Sequence, residues 1–143
     1  MASKDLLDVV DFPTTYGFPG YKNYFPEKNS LIVDRQVNSG AIIIGKTNTA
    51  ELGVGAHTAN RLFGITPNIY GNSKSSGGSS GGAAVAVAAN LLPFADGTDM
   101  MGSCRTPAAL LIFMDLDPHQ DLFLIIGQII KKKIFQLFQH LVV

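Results

Sequence analysis

Residues 77–82 read Gly-Gly-Ser-Ser-Gly-Gly and run without a break into an alanine- and valine-only stretch, residues 83–89, closed by Asn90. Glycines on both sides of a serine pair let the backbone take tight conformations and approach other backbone closely. The stretch behind them predicts a helix over Ala83 to Asn90 whose small side chains permit close packing on a neighbour. A flexible glycine-serine linker would share the first half of this pattern but not the second. The chain must therefore fold around one junction: a polar approach from Asn68, a turn that presents Ser79 at the start of a helix, then the helix itself.

The flanking segments alternate helix and strand. Asn29 and Ser30 are placed to cap a helix over Leu31 to Asn38, stopped by Gly40 at the C′ position. Residues 41–45, Ala-Ile-Ile-Ile-Gly, form a short apolar β-branched run that predicts a strand buried on both faces. Leu91 to Phe94 predicts another strand, leading into a second glycine-containing turn at residues 97–103. Before residue 30 the chain reads as loop, with a short strand or turn between Lys4 and Asp11. Helix followed by buried strand is the rhythm of an α/β fold.

Two serines compete for a chemical role. Residues 77–81 match the G-x-S-x-G nucleophile elbow, but an elbow follows a buried strand and needs a later histidine. Here polar residues precede it, and the later histidines are His119 and His140. No Lys-Ser/Thr pair closes the glycine run, which excludes a P-loop. Ser103 ends the second turn, where successive backbone N–H groups can hold an anion, as acyl transfer requires of its oxyanion.

Taken together, Gly45-Lys46-Thr47-Asn48, the junction at 77–82, and the turn from Gly97-Thr98-Asp99 through Gly102-Ser103-Cys104-Arg105 to Ala109 resemble the amidase signature family. Lys4-Asp5-Leu6 followed by Pro13-Thr14-Thr15 resembles the segment that carries that family's lysine. The resemblance covers residues 4 to 109. It implies part of a mixed, mostly parallel α/β sheet flanked by helices. It also implies an amide hydrolase with Ser103 as nucleophile, Ser79 as bridging serine after a cis peptide bond from Gly78, and Lys4 as base. Backbone N–H groups of Met100, Met101, Gly102 and Ser103 would form the oxyanion hole. Gly78, Ser80, Asp99 and Arg105 would support the site, the last two by orienting the turn. A lysine with a reference pKa of about 10.4 serves as base only where burial favours its neutral form. Met101 stands where the family usually has glycine, and it would be strained if that position needed a positive φ. Neither cofactor nor metal is implied. The implied partner is a small-molecule amide, or, in a transamidase that draws ammonia from glutamine, the other amidotransferase subunits. His57 reads as a surface residue and Cys104 as buried packing.

Composition narrows the remaining classes. Eleven basic and eleven acidic residues give no sign of nucleic-acid binding. A single cysteine and a start without an apolar leader favour a cytoplasmic setting. The apolar run Leu122 to Ile130 is too short for a membrane span, which takes roughly 20 residues. The texture changes after Ala109, dividing the chain into a core, 1–109, and an atypical tail, 110–143. Read two bases on from the start of the Phe113 codon, synonymous codons permit Tyr-Gly-Phe-Arg-Pro-Thr-Pro-Gly, the continuation expected of the family. The tail thus reads as out of frame, and the chain as a truncated piece. Two consequences are expected: a Lys4 frayed and solvated near the amino terminus, and a catalytically inactive remnant as the alternative to a working amidase.

Overall fold

The computed structural model describes residues 1–111 and the strand backbones at 114–119 and 122–126. In chain order the elements begin with β1 (Ser3–Lys4), α1 (Leu31–Asn38) and β2 (Lys46–Thr47). Four short strands follow, β3 (Ala59–Asn60), β4 (Gly64–Ile65), β5 (Pro67–Asn68) and β6 (Gly71–Ser75). Then come α2 (Gly81–Ala88), β7 (Phe94–Gly97), α3 (Arg105–Leu111), β8 (Met114–His119) and β9 (Leu122–Ile126).

The parallel pairing lies at the centre. β1 runs parallel to β2, with Ser3 opposite Lys46 and Lys4 opposite Thr47. A parallel bridge joins Ala2 to Ala95 of β7. The outer pairings, β3 with β4, β5 with β6, and β7–β9–β8, are antiparallel. α2 packs its alanines and Val87 on Ala95, Cys104, Ala108 and Leu111. Small side chains remove little apolar area each, so this core depends on close approach. The approach is closest at Gly82, where a Cβ would collide with the backbone of Asn48. The boundary expected after Ala109 falls inside α3, whose Leu111 is fully buried. The rest of the tail, and with it the out-of-frame reading, lies outside the described residues apart from β8 and β9.

The helices α1 and α2 stop by the same device. After α1, Gly40 at φ +92° donates to Val37 O (2.9 Å) and Ala41 N to Gln36 O (3.0 Å). After α2, Asn90 at φ +58° donates to Val87 O (3.0 Å) and Leu91 N to Ala86 O (2.9 Å). This is the Schellman arrangement, with asparagine serving at the second site. It corrects two expectations. α2 ends at Ala88 and not at Asn90, and the strand expected at Leu91 to Phe94 is β7, three residues later, because Leu91 belongs to the cap. At the start of α1, Ser30 makes no side-chain cap bond; its Oγ accepts from Asp8 N at 2.9 Å and so ties down the entry loop.

The apolar run at 41–45 is also corrected. It flanks β1 through Met1 amine to Ile42 O (2.8 Å), Ile44 N to Met1 O (2.9 Å) and Ser3 N to Gly45 O (3.0 Å). A regular ladder starts only at Lys46. Ile42 and Ile44 are 76% and 65% exposed while Ile43 is half-buried. Strand alternation thus covers one face only, a distinction that a uniformly apolar run hides.

Candidate active site

Lys4 is fixed from both sides. Its backbone N–H donates to Asp96 Oδ1 at 2.6 Å, and Asp5 N donates to Thr47 O at 3.0 Å. The side chain is 0% exposed. Its Nζ lies 2.7 Å from Ser79 Oγ, 2.8 Å from Ser80 Oγ and 2.9 Å from Thr98 Oγ1. The fraying expected at this end does not occur, because backbone bonds on both edges of β1 hold it. Burial pulls the Lys4 pKa down to about 8, against the upward pull of Cys104, Asp96 and Asp99. A neutral amine donates two hydrogens and offers one lone pair, so one of its three hydroxyl neighbours can donate to it.

Ser79 sits at the junction, 1% exposed, after a cis Gly78–Ser79 peptide bond. Thr58 organises this turn. Its Oγ1 donates to Gly77 O (2.9 Å) and accepts from Gly81 N (2.8 Å). Gly78 is needed for close approach, since a Cβ there would stand 2.8 Å from Gly55 O and from the His57 backbone. His57 itself is exposed, with Nδ1 2.7 Å from Ser75 Oγ.

Asp99 organises the second turn. Its Oδ1 accepts from Gly102 N (2.5 Å) and Arg105 Nη2 (3.1 Å). Its Oδ2 accepts from Cys104 N (3.0 Å), Arg105 N (3.2 Å) and Arg105 Nε (3.1 Å). Burial pushes this carboxyl up, but the Arg105 guanidinium and three backbone N–H groups outweigh burial and hold it well below the usual carboxylate range. The left-handed residue is Gly102 (φ +98°), so Met101 carries no strain of that kind. Of the four N–H groups expected to face an oxyanion, Gly102's is engaged by Asp99. Those of Met100, Met101 and Ser103 have no hydrogen-bond partner among the described residues. Ser103 is half-buried, and its carbonyl accepts from Ser80 N at 3.1 Å. Cys104 is buried beside it, with Sγ 3.5 Å from Ser80 Oγ.

Ser79 and Ser103 line one cleft of about 580 Å³, together with Gly78, Thr98, Asp99, Met100 and Met101. Leu6, Leu52 and Val54 form its apolar side. All the sequence-derived candidates therefore converge: Lys4 and Ser80 behind Ser79, and Asp99 and Arg105 behind Ser103. Sequence reasoning missed Thr98, Thr58 and Asp96. Thr98 stood inside a recognised motif, while Thr58 and Asp96 carried no signal, being ordinary polar residues until the fold buries them. Among the described residues no cluster of three or more His, Cys, Asp or Glu could hold a metal ion, and no helix is long and apolar enough to cross a membrane.

Known proteins resemble most of this chain. The amidase family model matches residues 1–113. A glutamyl-tRNA(Gln) amidotransferase subunit from Methanosarcina barkeri is 40% identical over 118 residues, covering 82% of this chain and 25% of its own length. An acylamidase from Rhodococcus erythropolis is 44% identical over 115 residues, covering 80% and 24% respectively. A solved Kluyveromyces lactis allophanate hydrolase superposes with a TM-score of 0.72 at 38% identity, over 76% of this chain and 17% of its own. The chain thus spans about a quarter of the length of these curated relatives.

Proposed function

From the finding that the chain belongs to the amidase family, we propose that it carries the acyl-transfer centre of an enzyme that hydrolyses a carboxamide C–N bond through an acyl-enzyme. The observation that supports this most is the buried Lys4 Nζ, 2.7 Å behind Ser79 Oγ, with Ser79 and Ser103 lining one cleft. Ser103 Oγ attacks the amide carbon. Its proton moves to Ser79 Oγ while the proton of Ser79 moves to neutral Lys4. The oxyanion rests against the open N–H groups of the 100–103 turn. Collapse breaks the C–N bond, and the proton returns from Lys4 through Ser79 to the departing nitrogen. Water then repeats the sequence on the ester and releases a carboxylic acid and free Ser103. This scheme needs no metal or organic cofactor, and its substrate is a small amide.

A second reading, favoured by the Methanosarcina barkeri relative, makes the same centre the ammonia-releasing part of a glutamine-dependent transamidase, with the remaining amidotransferase subunits as partners. Incubation with glutamine, and separately with a simple anilide, distinguishes the two by which amide is cleaved. The test of both is a fluorophosphonate probe followed by peptide mapping. Label on Ser103, absent from Ser103→Ala, is the expected result. Label on Ser79, retained in Ser103→Ala, would overturn the assignment in favour of a nucleophile elbow. The placement of Ser79, 1% exposed and held by Lys4, with the nearby His57 ring turned to Ser75 and no histidine ring hydrogen-bonded to Ser79 among the described residues, argues against that outcome.

A further inference from the structure

The scheme above uses Lys4, both serines and the Asp99 turn, but it leaves one buried acid without a task. Asp96 is 1% exposed in the middle of β7. One oxygen, Oδ1, accepts the Lys4 backbone N–H at 2.6 Å. The other, Oδ2, is buried beside the Ser3 and Gln36 side chains, which favour the charged carboxylate. The same strand leads directly to Thr98, whose Oγ1 and carbonyl approach Lys4 Nζ at 2.9 and 3.4 Å. β7 and the residue after it therefore grip Lys4 at both ends, the main chain through Asp96 and the amine through Thr98.

From this two-point grip, and from a carboxylate buried beside a buried lysine, we infer that Asp96 is a positioning residue that helps to set the protonation of Lys4. The inference rests on the reading of Lys4 as the base. An ionised Asp96 favours the ammonium form of Lys4, and a protonated Asp96 does not. Asp99, from the turn after β7, and Cys104, from the start of α3, also raise the Lys4 pKa, while desolvation lowers it. Ser79, Ser80 and Thr98 meet the amine with hydroxyls only. Asp96 in turn faces Ser3 and Lys4 on β1, Gln36 on α1 and Lys46 on β2. Burial pushes its carboxyl up to about 6, against the bond from Lys4 N, the neighbouring Ser3 and Gln36 side chains and the charge of Lys46. Asp96 thus changes charge just below the range in which Lys4 does.

The experiment is a ¹³C titration of lysine Cε in the full chain, with Lys4→Met identifying the Lys4 signal. Asp96→Asn keeps an acceptor for the Lys4 N–H and removes the charge. The expected result is a Lys4 midpoint lower by roughly one pH unit, with the pH dependence of Ser103 labelling displaced equally. Asp34→Asn, a charge removed from the exposed side of α1, should leave the midpoint in place. Should Asp96→Asn fail to fold, the unsubstituted protein decides: Lys4 Cε should show a second, smaller inflection near pH 6, where Asp96 ionises. An unmoved midpoint in folded Asp96→Asn, or a single inflection in the unsubstituted protein, would overturn the inference and leave Asp96 a packing residue. A displaced midpoint in a protein whose Ser103 takes no label would keep the coupling and overturn the amidase reading instead.

Discussion

Lys4 and Ser103 serve the same cleft from surroundings of opposite kind. The lysine has no exposed surface, and its amine is surrounded by hydroxyls and a carbonyl supplied from two parts of the chain. The serine ends a turn whose Met100 and Met101 are each 83% exposed. That turn takes its shape from one carboxylate, Asp99, and one guanidinium, Arg105. Under the proposed mechanism, the difference follows from what each group must do. A base has to be kept dry to lose its proton near neutral pH. A nucleophile has to be reached by substrate, and its neighbouring N–H groups have to stay open. The lysine side depends on desolvation, while the serine side depends on directed hydrogen bonds.

This contrast makes ordered predictions. The largest effect belongs to Ser103→Ala, expected to lower probe labelling and anilide turnover by on the order of 10⁴-fold or more. Next come Lys4→Ala and Ser79→Ala, each expected to lower the rate by about 10² to 10⁴-fold; a smaller loss in steady-state assays would mean that the base lies elsewhere. Asp99→Asn should cost about 100-fold by displacing the turn, and should lower the pH midpoint of labelling, though by less than Asp96→Asn, because Asp99 is the smaller of the two carboxylate influences that raise the Lys4 pKa. An unmoved pH profile in that variant would show that the two sides are independent. The smallest effect is expected for Met101→Gly, within a few-fold in labelling rate, because the left-handed position is already Gly102.

Proton linkage gives a further test of the lysine side. The Lys4 pKa is about 8 in the folded chain against 10.5 as the ordinary value. Labelling should therefore rise with pH through about 8 as the neutral amine forms. Between about 8 and 10.5 the unfolded chain holds the proton and the folded chain does not. Stability contributed by this group therefore rises with pH across that window, and the burial penalty is complete below it. Measured against Lys4→Met by denaturant titration, the unsubstituted protein should gain up to about 3 kcal/mol over that interval. A flat difference would show that Lys4 is solvated.

The parts of this arrangement that were legible in the sequence are those that rest on backbone demands. The run of glycines around Ser79, the glycine after α1 and the acid–arginine pair of the second turn are restricted in residue type by sterics or charge geometry, so they announce themselves. What stayed hidden depends on distant neighbours. The isoleucines at 42 and 44 are apolar yet exposed, because β1 pairs along the edge of the run and alternation turns these two side chains to the uncovered face. Leu91 is apolar yet belongs to a helix cap. Thr98 and Asp96 matter only because Lys4 arrives beside them, and no local pattern encodes a contact across more than ninety residues.

That separation has a consequence in time. Lys4 lies 92 residues before Asp96 and 94 before Thr98. At synthesis rates of about 5–20 residues per second, the lysine leaves the ribosome roughly 5 to 20 s ahead of the strand that will hold it. In that interval no pocket exists, and the amine carries its proton in water. β1 has β2 as an earlier parallel partner, but that ladder is only two residues long. Of these three groups the first to be made is therefore enclosed only when the others arrive, and the nascent chain must keep β1 from pairing with anything else until β7 appears.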